Sequence, residues 1–130
     1  MKSTAIAIVI AGALIGGAIL YSGSSSLSVP EPVSADNVTM VDGTQQVTIT
    51  AKGGYSPRAS VAKAGVPTTL RIQTQGTFDC SSALAIPALQ YRTNLPPSGI
   101  TEIAVPPQQA GTRLQGICAM GMYSFVVAFE

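Results

Sequence analysis

The chain has 130 residues, with seven Lys or Arg against six Asp or Glu, no histidine and a net charge of +1. That length holds one domain and an appendage, and a near-neutral charge with no basic run excludes both a nucleic-acid footprint and an electrostatic membrane-binding patch. Without histidine, a serine-nucleophile motif, a phosphate loop or usefully spaced carboxylates, the chain is poorly equipped as an enzyme.

From Thr4 to Tyr21 runs an uncharged apolar stretch, preceded by Lys2 and followed by the polar run Ser22 to Ser26. A membrane-spanning helix needs about 17 to 25 apolar residues. Residues 1–21 are therefore expected to form a transmembrane anchor, the rival being a cleaved secretory signal with an apolar core of about 7 to 15 residues. Lys2 would keep its end in the cytoplasm. The rest would then face outward, as the extracytoplasmic part of a single-pass cell-membrane protein, or be secreted after cleavage. Residues 22–40, rich in Ser with Pro30 and Pro32 and without apolar periodicity, read as a linker, and residues 41–130 as the domain.

Within the domain the recurring signal is the short strand. Gln46 to Ala51 alternates, with Val47 and Ile49 on one face and Thr48 and Thr50 on the other, between the turn dipeptides Asp42-Gly43 and Gly53-Gly54. Arg58 to Ala64 and Thr68 to Thr74 follow, parted by Gly65 and Pro67, and Leu70 and Ile72 alternate with Arg71 and Gln73. Ser81 to Ala88 reads as a short turn of helix at most. Ile103 and Val105, then Leu114, then Phe125, Val127 and Phe129 complete the pattern. Short strands punctuated by 13 glycines and nine prolines predict an antiparallel β-sandwich or barrel.

Sulfur is concentrated at the end of the chain. Cys118, Met120 and Met122 alternate within Cys-Ala-Met-Gly-Met, and the other cysteine, Cys80, lies upstream in a loop expected at the sandwich edge. Along a strand, residues two apart share one face. Gly116 and Gly121 point instead to a turn or bulge, which would also gather the sulfurs. Thiolates and thioethers are soft donors that select Cu(I) or Ag(I) over magnesium, calcium or manganese. Two plainer readings stand beside this one. Two cysteines in an exported chain commonly form a disulfide, here Cys80 to Cys118, and methionine commonly fills cores. The disulfide is compatible with a metal site, since a chelating pair can oxidise when empty. Asp79 reads as a solvated loop charge or an outer acceptor, and Tyr55 and Pro57 as residues that fix a turn and cover the core.

Gly54-Tyr-Ser-Pro57, Ala64-Gly65 before Pro67, Cys80, Ile86-Pro87, the stretch from Pro106 to Gly111 and Cys118-Ala-Met-Gly-Met-Tyr123 together resemble the cupredoxin-like family, in particular its bacterial branch of small copper domains anchored in the membrane or fused to transporters. The resemblance runs from Val41 to Glu130. It implies a Greek-key β-sandwich with one copper ion at one end, Cys80 standing where blue-copper relatives have an upstream histidine, Cys118 where they have their cysteine, and Met122 or Met120 replacing the ligands beyond that cysteine. Blue sites use two histidines and one cysteine with a weak axial sulfur, and this chain has no histidine. The expectation is thus a tethered extracytoplasmic protein that binds Cu(I), or Ag(I), through Cys80, Cys118, Met120 and Met122 for handling, delivery or detoxification, with a copper-donor or copper-acceptor protein as partner. The alternatives are a disulfide-stapled interaction module and, last, an electron carrier.

Overall fold

The computed structural model describes residues 33–130; the anchor expected at 1–21 lies outside the described residues, as does most of the expected linker. In chain order the strands are β1 (Val33–Ser34), β2 (Val38–Val41), β3 (Thr44–Ala51), β4 (Tyr55–Ser56), β5 (Ala59–Ala62), β6 (Thr68–Thr74), β7 (Ala83–Ile86), β8 (Tyr91–Asn94), β9 (Gly99–Val105), β10 (Arg113–Cys118) and β11 (Ser124–Phe129). They form two sheets. One has six strands in the order β1-β5-β11-β10-β7-β8, and the other has five, β2-β3-β6-β9 with β4 paired to β3.

Side-chain alternation accounts for the central strands. Gln45, Val47, Ile49 and Ala51 of β3 point inward, as do Thr68, Leu70, Ile72 and Thr74 of β6 and Phe125, Val127 and Phe129 of β11. Burying a Val, Leu, Ile or Phe side chain contributes about 1.5–3 kcal/mol, so these three strands carry much of the core. Gln45 is a polar member of that row. Its amide accepts from the Lys63 N–H and donates to the Lys63 carbonyl and to Thr68 Oγ1, so its burial leaves no polar atom unpaired.

Three expectations are corrected. The sandwich is mixed, not antiparallel: β3 pairs β6 in parallel over seven residues, and β5 runs parallel to both β1 and β11. Strands that enter a sheet after a crossover from the other sheet are free of the hairpin's antiparallel constraint. Residues 33–40, expected as linker, supply β1 and most of β2, and Asn37 donates to the Thr48 carbonyl and to Ser60 Oγ, stitching this segment to both sheets. The segment expected as a turn of helix is instead a 3₁₀ turn at Cys80–Ser82, strand β7, and a second 3₁₀ turn at Pro87–Leu89 that leads into β8. Alanine is depleted in strands, so Ala-Leu-Ala-Ile carries a weak strand signal. Partners on both sides, β10 and β8, fix it as one.

Candidate metal centre

Both cysteines lie at one end of the sandwich, on segments that join its sheets or its strands. Cys80 opens the 3₁₀ turn between β6 of one sheet and β7 of the other, and Cys118 is the last residue of β10. The loop carrying Cys80 is pinned along its length. Thr77 Oγ1 donates to the Ala51 carbonyl at 2.6 Å, the Thr77 N–H donates to Pro97, and the Leu95 N–H donates to Ser82.

Asp79 caps the turn. Its carboxylate accepts from Ser81 Oγ at 2.9 and 3.1 Å and from the Ser81 N–H at 3.5 Å, while its carbonyl accepts from Ser82 Oγ at 2.8 Å. Burial tends to raise its pKa, but the Ser81 hydroxyl and the backbone N–H of Gly53, with those of Asp79 and Ser81, outweigh this and hold it below the usual carboxylate value. Asp79 is thus neither a free loop charge nor an outer acceptor for the thiols. It is the residue that fixes the turn carrying Cys80, and the pattern Asp-Cys-Ser, an acid two residues before a hydroxyl at a turn start, was its sequence signal.

Tyr55 supports the same turn from inside the sandwich. Its hydroxyl donates to the Ser81 carbonyl at 3.0 Å, and its ring meets Phe125 edge-on at 5.1 Å. Burial, reinforced by the negative charge of Cys118, Cys80 and Asp79, drives its pKa far upward, so it remains a protonated donor. One side chain therefore touches both the turn of Cys80 and the hairpin of Cys118. Tyr55→Phe is expected to destabilise the fold by about 1–2 kcal/mol, because the buried Ser81 carbonyl loses its donor. Urea unfolding monitors this directly; an unchanged midpoint would show that the bond contributes nothing.

The Cys118 side is built by a tight turn. Strand β10 stops at Cys118, whose carbonyl accepts from the Gly121 N–H at 2.8 Å and whose N–H donates to Tyr123 at 2.9 Å. Gly121 sits at φ +72°, a conformation that glycine adopts without strain. Strand alternation therefore does not carry past Cys118; the turn does the gathering. Gly116 marks no bulge, since it pairs in register with Phe125 in the middle of the β10–β11 ladder.

The two sulfurs meet. Both thiols are free, and Cys80 Sγ donates to Cys118 Sγ at 2.6 Å. Cys118 is buried and Cys80 half-buried, so the pair opens to solvent on the Cys80 side. The Tyr123 N–H reaches Cys118 Sγ at 3.4 Å. Burial by itself would raise the Cys118 pKa, but the hydrogen bond from Cys80 and the backbone N–H groups of Tyr123, Met122 and Met120 lower it below the usual thiol value. Cys80 shifts the other way. The bond it donates to Cys118 raises its pKa, the Met120 N–H opposes this, and burial with the charges of Cys118 and Asp79 adds to the rise. The pair is thus asymmetric, Cys118 the sulfur that gives up its proton more readily and Cys80 the one that holds it.

Met120 and Met122 are not core filler: they are 77% and 63% exposed. They stand on different sides of the turn. Met120 borders a groove of about 570 Å³ with Cys118, Ile117, Ala83 and Ala85, whereas Met122 borders a second cleft with Gly54, Tyr55 and Tyr123. The backbone N–H groups of both bond to the Cys118 sulfur. Phe78, two residues before Cys80, is 83% exposed at the same end. Among the described residues no cluster of three His, Cys, Asp or Glu forms, and with both cysteines already in the pair any further soft donor from the chain would be a thioether. Met40 lies exposed on β2 and takes no part.

The sequence profile of the cupredoxin-like domain matches residues 13–127. No curated protein matches the chain. Among solved structures, the metal-binding domain of the Cu(I)-exporting P-type ATPase CopA of Streptococcus pneumoniae D39, determined with Cu(I), superposes with a TM-score of 0.67 at 18% identity, over 77% of this chain and 97% of that one. A copper-binding protein determined by NMR in the apo form gives a TM-score of 0.66 at 23% identity, over 75% of this chain and 98% of its own. At these identities the two structures speak for the fold, and with the profile covering most of the chain they lead to one assignment: this chain belongs to the cupredoxin-like family.

Proposed function

We propose that the chain is a membrane-tethered, extracytoplasmic protein that binds Cu(I), with Ag(I) as a chemical surrogate, and serves in copper handling, delivery or detoxification, with no catalytic turnover of its own. The observation that carries this reading is the pair of free sulfurs at 2.6 Å, one of them ringed by backbone N–H groups, in a chain without histidine. Thiolate and thioether ligands favour Cu(I), and an all-sulfur set gives Cu(II) no imidazole to stabilise it. Both solved neighbours are described as copper proteins, one of them with Cu(I), which supports copper as the cargo. Lys2 and the apolar run from Thr4 to Tyr21 support the tether and its orientation. Phe78, Met120 and Met122 leave an apolar rim at the site's end, suited to a copper-donor or copper-acceptor protein that must bring its own sulfur ligands close to Cys80.

Copper and protons compete for these sulfurs, which sets the pH dependence. Metal binds the deprotonated thiol. Between the lowered pKa of Cys118 and the raised pKa of Cys80 the proton displaced comes from Cys80, so Cu(I) affinity is expected to climb about tenfold per pH unit until the Cys80 pKa is passed. Below the lowered pKa of Cys118 a second proton enters and the slope steepens. Competition against a Cu(I) chelator over a pH series measures this slope; a flat profile would mean that the cysteines are not ligands.

A further inference from the structure

The Cys80/Cys118 pair is placed to do chemistry as well as to bind. We infer that it reduces arriving Cu(II) to Cu(I), closing to a disulfide as it does so and leaving Cu(I) to the thioethers of Met120 and Met122. This rests on the reading of copper as the cargo.

The geometry favours such a step. Two free thiols already in contact, one half-buried and open to solvent and the other at the inner edge of the Met120 groove, form a disulfide without unfolding the turn that holds either of them. The second sulfur is delivered intramolecularly, which raises its effective concentration by orders of magnitude over a thiol from solution. The ligand chemistry favours it too. Cu(II) is held by imidazole and oxygen donors. The chain has no histidine, and among the described residues no cluster of three His, Cys, Asp or Glu offers a hard or borderline cage. The Asp79 carboxylate is engaged with Ser81. A Cu(II) ion that reaches Cys80 therefore meets an electron donor and no stabilising site. The methionines provide for the product. Both are exposed on the turn that follows Cys118, and their thioethers carry no proton and are untouched by disulfide formation, so soft donors for Cu(I) persist after the thiols are spent.

The step balances without another reactant. The two thiols release two protons to solvent and one electron each; a sulfur–sulfur bond forms between Cys80 and Cys118; two Cu(II) ions take up one electron each and become Cu(I). It is stoichiometric. A second round requires an external dithiol reductant to reopen the disulfide by exchange.

The test uses the full chain, reduced and then freed of reductant without air, and mixed with copper(II) sulfate. The reaction is stopped with EDTA, Cu(I) is read with a chromophoric Cu(I) chelator, and thiols are counted and located by peptide mapping. The expected result is close to two Cu(I) per chain, loss of both thiols and a Cys80–Cys118 cross-linked peptide. Cys80→Ser should slow Cu(I) formation by at least about tenfold, because its second sulfur must come from another chain, and Cys118→Ser should do the same. Met120→Leu with Met122→Leu should release Cu(I) faster to the chelator, and a release rate equal to wild type would overturn the hand-over to the thioethers. Bound Cu(II) with both thiols intact would overturn the inference, as would a Cys80→Ser variant equal to wild type in rate and yield. A chain that withdraws Cu(I) from a chelator yet leaves Cu(II) unreduced refutes this inference alone. One that reduces Cu(II) but cannot hold Cu(I) upholds the reduction step and refutes both the hand-over to Met120 and Met122 and the binding role proposed above.

Discussion

Gly116→Ala is expected to lower the stability of the sandwich by about 1–3 kcal/mol, the range for forcing extra atoms into a packed core. Gly116 faces Phe125 across the β10–β11 ladder, and a Cβ built on it would overlap ring atoms Cε1 and Cζ of Phe125. The ring has nowhere to go: Phe125 is fully buried, and Tyr55 packs against it edge-on. Either Phe125 leaves its rotamer or β10 shifts away from β11, and both disturb the turn that presents Cys118. For a domain of this size each kcal/mol is worth about 4–8 °C of Tm. The cause is a specific overlap, so it is separable from a general dislike of side chains in that strand. Combining Gly116→Ala with Phe125→Leu should destabilise less than the sum of the two single changes, because the smaller residue vacates the contested space. Additive effects in urea unfolding, or a Gly116→Ala protein with the wild-type midpoint, would show that the overlap is not what holds this position.

The other large effect is on binding. Replacing either cysteine by serine is expected to cut Cu(I) affinity by more than about 100-fold, since changing groups that merely orient a ligand already costs about 10–100-fold. Cys118→Ser should be the more damaging. Cys118 is the sulfur whose pKa is lowered by the bond from Cys80 and by the backbone N–H groups of Tyr123, Met122 and Met120, and a hydroxyl there cannot supply a soft anion. Cys80→Ser removes the second thiolate but leaves those backbone N–H groups in place. Single changes of Met120 or Met122 to leucine should be milder, because the two thioethers lie in separate clefts and each can act without the other. Circular dichroism keeps loss of fold apart from loss of ligand.

The fold was legible where one physical signal dominated. Strands β3 and β6 alternate apolar and polar side chains, and β11 sets Phe125, Val127 and Phe129 two apart; a strand with one buried face is the structure that this period fits. Strand β7 could not be read that way, because Ala83 and Ala85 carry little strand preference and the strand is held by its neighbours. The parallel pairing of β3 with β6 was equally hidden, since pairing direction depends on crossovers between sheets and not on the local pattern. At the site, the even spacing of Cys118, Met120 and Met122 suggests a shared strand face and Gly121 a turn; the turn is what forms, and the two methionines border different clefts. Gly116 looked like a bulge and is a place made for an aromatic ring. The meeting of Cys80 with Cys118, 38 residues apart, was expected from the cysteine count and the family resemblance, and it is β6 crossing to β7 beside β10 that brings it about.

A Cu(I) site formed by Cys80 and Cys118 is tested most directly by titrating the reduced full chain with Cu(I) against a competing chromophoric chelator, wild type beside Cys118→Ser. The wild type should withdraw copper from the chelator and the variant should leave it there. No withdrawal by the wild type, or equal withdrawal by Cys118→Ser, would contradict the account.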